Sequence, residues 1–301
     1  MDSQPNITYS EDSTFCFYCR REIEFTDSDG TSQTCPDCAA YLEENPFPGL
    51  VDKQAKVLAQ LAQITPNPIT VSGDPVNWVT VGVRVEHFKS TELSLFKQNL
   101  TQFPTDVLHL STLRELSLAN NNITTVPDEL CKLRNLRVLN LNQNKLTGFP
   151  EKFPPSLRQL FISFNELVSV PKEVGKTNWF YASRNHLVEL PSFQGSRLTQ
   201  LTLSYNQLVE LPRDLVRQQA LRYLDLKYNK LESFPFFLVR LPQLHYLDLS
   251  GNTELGPFAR KVGGLANTVK NKKDVRNFLR NSIDKSREPL IRSPQKPFLD
   301  D

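Results

Sequence analysis

The chain has 301 residues, 39% of them apolar, and a formal charge of +2 at neutral pH. That length suits one extended domain plus something small, with apolar content sufficient for a packed interior. No stretch approaches the ~18 consecutive apolar residues that a membrane span requires. The near-neutral total hides an imbalance, since residues 1–47 carry ten acidic side chains against only Arg20 and Arg21. Such an acidic front end argues against phosphate contacts and nucleic-acid binding there. The opening "MDSQPNITYSEDS" has neither a basic start nor an apolar run. No secretory leader is therefore expected, and the chain reads as cytoplasmic, the alternative being delivery into a host cell as an effector.

The first motif is Cys16-x2-Cys19, fifteen residues, then Cys35-x2-Cys38. Four thiolates in two knuckles can close a tetrahedron around zinc. Two disulfides would need an oxidising compartment, which the missing leader argues against. The intervening "RREIEFTDSDGTSQT" reads as a hairpin turning near Asp29-Gly30, so residues 1–47 look like a small zinc ribbon. Four cysteines fill the shell and leave no open position, so the zinc is expected to be structural. A RING-type ligase domain would need eight ligands, and no histidine precedes His87.

Residues 48–89 read as a linker, a capping helix and a strand. After "ENPFPG", the apolar residues Leu50, Val57, Leu58, Leu61 and Ile64 follow a helical period that ends before Pro66. This helix is expected to cover the open edge of the array that follows. Val79, Val81, Val83 and Val85 alternate, which suggests a capping strand with Trp78 buried near the edge.

From residue 90 to 257 one sentence is spelled eight times. Its clearest copy is "LRELSLANNNITTVP" from Leu113, with "LRVLNLNQNKLTGFP" from Leu136 and "LRYLDLKYNKLESFP" from Leu221 close behind. The asparagine recurs at Asn121, Asn144, Asn165, Asn185, Asn206, Asn229 and Asn252, with Gln98 standing in at the front. These copies resemble the leucine-rich repeat family in its short intracellular style, with a proline six residues after the asparagine. The resemblance implies an α/β fold: a solenoid with a curved parallel sheet on its concave side, and short helical or 3-10 turns and extended segments on its convex side. The alternating "LxL" is a short strand with one face inward, and one unit cannot bury its apolar layer alone, so neighbours must stack. The asparagine amides are expected to satisfy backbone groups of their own and the adjacent turn. The shortened middle copies, such as "FPPSLRQLFI", resemble the very short repeats of secreted bacterial effectors and leave room only for extended segments opposite the sheet. Cys131, in "DELCKLRNL", is expected to be a small buried apolar residue.

The informative residues are those the motif leaves free. Side chains alternate along each strand, so the intervening positions point away from the leucines. In the early copies these positions are small and polar. Later they become Phe161, Trp179, Tyr181, Tyr223 and Tyr246 in mid-strand, and Phe164, Tyr205 and Tyr228 just before the asparagine. Tyrosine and tryptophan bury much area with few rotatable bonds, so the mid-strand rings, with Tyr205 and Tyr228, read as a protein-binding surface on the concave side; rings just before the asparagine, such as Phe164, can instead pack on the turn. Arg184, Asp225, Lys227 and Asp248 are expected to form its charged rim. A second stripe, Arg114, Arg137, Arg158, Arg222 and His245, reads as solvated side chains lying along the strands.

Residues 258–301 carry eleven Lys or Arg against five acids. Within them, Val275, Phe278 and Leu279 suggest a terminal capping helix ahead of a basic tail. No nucleophile with a base, phosphate-cradling loop or open metal site occurs, so the chain is not expected to be an enzyme. The reading is a monomeric, non-catalytic adaptor for a protein partner. The alternative is a substrate-recruiting component of a ubiquitin-type ligase, or a secreted bacterial effector.

Overall fold

The computed structural model describes residues 50, 52–87, 89–193, 195, 197–255, 268–269, 277 and 279–280. Cys16, Cys19, Cys35 and Cys38 lie outside the described residues, as do Val275, Phe278 and the basic tail. The chain divides into two compact units, Met1–Leu167 and Val168–Asp301.

The first unit opens with helix α1, Asp52–Ile64. Leu50, Val57, Leu58 and Leu61 are buried, whereas Ile64 is 50% exposed, so the apolar stripe stops one turn earlier than its spacing suggests. Gln54 fastens the helix to the repeats. Its Oε1 accepts the Ser90 N–H at 2.8 Å, and its Nε2 donates to Thr112 Oγ1 at 2.8 Å. The sheet of this unit runs β1 (Thr70–Ser72), β2 (Val81–Glu86), β3 (Lys89–Leu95), β4 (Glu115–Ser117), β5 (Val138–Asn140) and β6 (Gln159–Phe161). The β1–β2 pair is parallel, β2–β3 is antiparallel, and β3 to β6 are parallel with Leu93, Leu116, Leu139 and Leu160 in one register. Val79, expected in the capping strand, lies outside β2 and is 63% exposed.

The second unit repeats the pattern with β7 (Trp179–Tyr181), β8 (Gln200–Thr202), β9 (Tyr223–Asp225) and β10 (Tyr246–Asp248) in parallel, and β11 (Thr268–Val269) antiparallel to β10. Here Phe180, Leu201, Leu224 and Leu247 form the shared row, each fully buried. Opposite the sheet, one 3-10 turn follows the proline in each 23-residue copy: Thr105–His109, Asp128–Lys132, Arg213–Arg217 and Phe236–Arg240. A further turn, Lys172–Lys176, occupies the shortest copy, where only extended chain was expected. It fits because Val174 and Gly175 fill the buried layer and Thr177 caps it, donating its hydroxyl to the Val174 carbonyl at 2.7 Å. Cys131 is a free thiol and only half-buried, since it sits on the outer side of its 3-10 turn while Leu130 takes the inner one.

The asparagines behave as their recurrence suggests. In the second unit Asn206 accepts the Leu187 N–H at 3.1 Å and donates to the carbonyls of Ala182 and Leu203 at 2.9 and 3.0 Å. Asn229 does the same with Leu208, Leu203 and Leu226, and Asn252 with Leu231, Leu226 and Leu249. Asn121, Asn144 and Asn165 form the matching ladder in the first unit. Each amide therefore satisfies backbone groups of its own copy and of the preceding one. Asn206→Ala leaves these groups buried without partners, at about 1–3 kcal/mol for each one orphaned. We expect a loss of about 3 kcal/mol or more in urea unfolding, against under about 1 kcal/mol for Asn135→Ala, whose single bond to the Ser111 carbonyl is exposed.

Candidate functional site

Register places the outward side chains of the second unit in rows that cross the strands. Trp179, Gln200, Tyr223 and Tyr246 form one row, and Tyr181, Thr202, Asp225 and Asp248 form the next. Tyr223 and Tyr246 stack face to face, with ring centroids 4.0 Å apart and planes 5° from parallel. The Tyr181 hydroxyl bonds the Gln200 side chain. Trp179, Tyr181, Tyr223 and Tyr246 are all half-buried, so each keeps ring area in contact with solvent.

A further row runs through the residue just before each asparagine. Arg184, Tyr205, Tyr228 and Gly251 share a left-handed backbone, φ 51° to 75°. So do Lys97, Asn120, Gln143 and Phe164 in the first unit. The turn aims each N–H across the array, as in Tyr205 to the Lys227 carbonyl at 2.8 Å and Tyr228 to the Ser250 carbonyl at 2.7 Å. Holding a bulky side chain there costs about 1–2 kcal/mol per residue. The rings are nevertheless exposed and stacked: Tyr205 on Tyr228 at 4.6 Å, with the Arg184 guanidinium over Tyr205 at 4.3 Å. Lys227 Nζ lies over the Tyr228 ring at 5.0 Å. Gly251 ends the row because a Cβ there would sit 2.7 Å from Tyr228 Cε1.

Asp225 and Asp248 are not the exposed rim that their position on the strands suggested. Asp248 is buried and Asp225 half-buried; each accepts a backbone N–H two residues on, Lys227 at 3.0 Å and Ser250 at 2.9 Å. Burial, then the neighbouring Asp248 charge, pushes the Asp225 carboxyl above its ordinary range, partly offset by its hydrogen bonds to the Lys227 N–H and Ser204. Burial also raises the phenols of Tyr181 and Tyr223. Tyr246 is pushed furthest, by burial first and then by Tyr223, Asp248 and Asp225.

The outward face of the first unit differs. Residues 73–80 cross it: the Val76 N–H donates to Glu92 Oε2 at 2.8 Å and the Ser94 hydroxyl to the Thr80 carbonyl at 2.6 Å. Trp78, expected to be buried near the edge, instead lies half-exposed on this face, edge-on to Phe161 at 5.1 Å and hydrogen-bonded to Glu115. Glu92, Ser94, Ser117 and Asn140 are buried accordingly. Phe161 and Phe164 thus belong to the first unit, and the other six rings to the second.

A family model described as "Leucine rich repeat" matches residues 91–146, 111–167 and 196–253. The matched segments are leucine-rich repeats. No curated protein matches the chain. A solved structure of a Leptospira interrogans LRR protein aligns at 26% identity over 55% of this chain and 49% of that chain, with a TM-score of 0.42. The alignment thus spans about half of that protein. Among the described residues no helix is long and apolar enough to cross a membrane. The arginine stripe on these leucine-rich repeats is mostly solvated, with Arg114 bound to Glu86 at 2.9 Å. Sequence reading found the mid-strand rings but missed the covering segment and the left-handed column. The column's only overt signals were Asn120 and Gly251.

The raised phenols carry a stability signature. Their folded-state pKa values exceed the unfolded value of about 10, so their contribution is complete below that pH and is lost as pH rises through the folded values. We expect urea midpoints to fall steeply above about pH 10, and to fall less steeply in Tyr246→Phe, measured by unfolding at a series of alkaline pH values.

Proposed function

We propose that the chain is a non-catalytic interaction module that binds a protein partner on the ring-lined face of the second unit. A structural zinc ion held by Cys16, Cys19, Cys35 and Cys38 would organise a further contact site. Leucine-rich repeats generally mediate protein–protein interaction, and the single observation that carries the reading is the pair of outward rows containing Trp179, Tyr181, Tyr223 and Tyr246. Rings that are already stacked lose little freedom on binding and bring large apolar area with polar tips, the character of interface centres. The first unit offers no equivalent, because residues 73–80 already lie over its outward side chains. A stable complex would bury upwards of ~1,000 Å² in total.

The test is affinity for a partner captured by the intact chain. Tyr223→Ser with Tyr246→Ser should weaken that complex at least about tenfold, the scale of one hot spot, while Arg137→Ala leaves it unchanged. Equal affinity of all three proteins would overturn the reading. Four soft thiolates at this spacing suit zinc. Metal analysis should therefore find one equivalent per chain, falling to none in Cys16→Ser with Cys19→Ser.

A further inference from the structure

The covered face of the first unit displays what this kind of surface accepts. Its carboxylates take N–H donors from the segment lying over them: the Val76 backbone on Glu92 and the Trp78 indole on Glu115. A guanidinium completes the arrangement. Arg84 Nη1 donates to Glu92 Oε1 at 2.6 Å, while its Nε holds the Gly73 carbonyl of the same segment at 3.1 Å. An aromatic ring of the segment then meets an aromatic ring of the sheet, Trp78 on Phe161. Carboxylate, guanidinium, extended backbone and ring thus form one recognition unit within the chain.

The second unit presents the receiving half of this unit. Asp225 supplies the carboxylate and Tyr223 and Tyr246 the rings. Two cations lie nearby: Arg184 stands over Tyr205, and Lys227 stands over Tyr228 with its charge acting only weakly on Asp225. No ion pair to Asp225 occurs among the described residues, unlike Glu92 with Arg84. By analogy with Arg84, which follows residues 73–80 on β2 and faces Glu92 across the strands, the missing half is a donor-rich planar cation on an extended strand of polypeptide. A guanidinium fits this better than an ammonium, because its fork offers several N–H donors to one carboxylate while its plane can lie against a tyrosine ring.

Resting on the proposed binding face, we propose that the second unit accepts an extended, arginine-bearing segment of its protein partner, with the guanidinium on Asp225 beside the Tyr223 ring. The charge complementarity is local: Asp225 and Asp248 share a row that contains no lysine or arginine.

The test uses the full chain and a random peptide display library. Selected peptides should be enriched in arginine, and replacing that arginine by citrulline, which keeps the shape and removes the charge, should weaken binding at least tenfold. Asp225→Asn should erase the difference between arginine and citrulline peptides, because the carboxylate alone distinguishes them. Tyr223→Ser with Tyr246→Ser should abolish binding of both. Peptides that need the tyrosines but show no preference for arginine would overturn this inference and leave the binding face intact. Peptides indifferent to both sets of substitutions, or no enrichment at all, would overturn the inference and the proposed face together.

Discussion

The structure depends on the buried asparagine amide. A strand of three residues makes too few ladder bonds to hold its place, and the chain must leave it by a sharp turn whose backbone groups have no regular partner. The amide supplies one acceptor and two donors at that point and spends them on two successive copies, as Asn229 does with Leu208, Leu203 and Leu226. The leucine rows then stack as a buried core, because each copy is held in register by its neighbour's turn. Apolar burial drives the assembly, and the amides fix its spacing.

That division of labour explains what could be read from the sequence. Leucines and asparagines recur because each copy faces the same local problem, so the strands, the shared core row and the amide ladder were legible from periodicity alone. Residues 73–80 solve a problem met once. Nothing in "GDPVNWVT" signals that Val76 will reach Glu92 or that Trp78 will find Phe161, since both contacts join distant parts of the chain. The Lys172–Lys176 turn escaped for a related reason. Length suggested extended chain, but Val174, Gly175 and Thr177 are small enough for a tight turn to fit the shortest copy.

The left-handed column was hidden because bulky residues occupy it. Glycine is the natural occupant of such a backbone, and only Gly251 obeys that preference in the second unit. Tyr205 and Tyr228 sit there at a conformational cost and remain substantially exposed, which is hard to reconcile with a role in the fold alone. The same column and the two rows beside it turn one edge of the second unit basic and aromatic and the adjoining strip acidic and aromatic. In the first unit Glu92, Ser94, Glu115 and Phe161, from the strand rows, are spent on the chain's own segment.

Strand spacing gives these rows the character of a ruler. Neighbouring strands lie ~4.8 Å apart, so alternate strands, such as those bearing Trp179 and Tyr223, repeat every ~9.6 Å. A chain in the polyproline conformation advances ~3.1 Å per residue, so three residues measure ~9.3 Å and fall almost into step with two strands. A segment lying along a row, across the strands, would then offer every third side chain to the same kind of pocket, and lengthening or shortening it by one residue would put all later contacts out of phase.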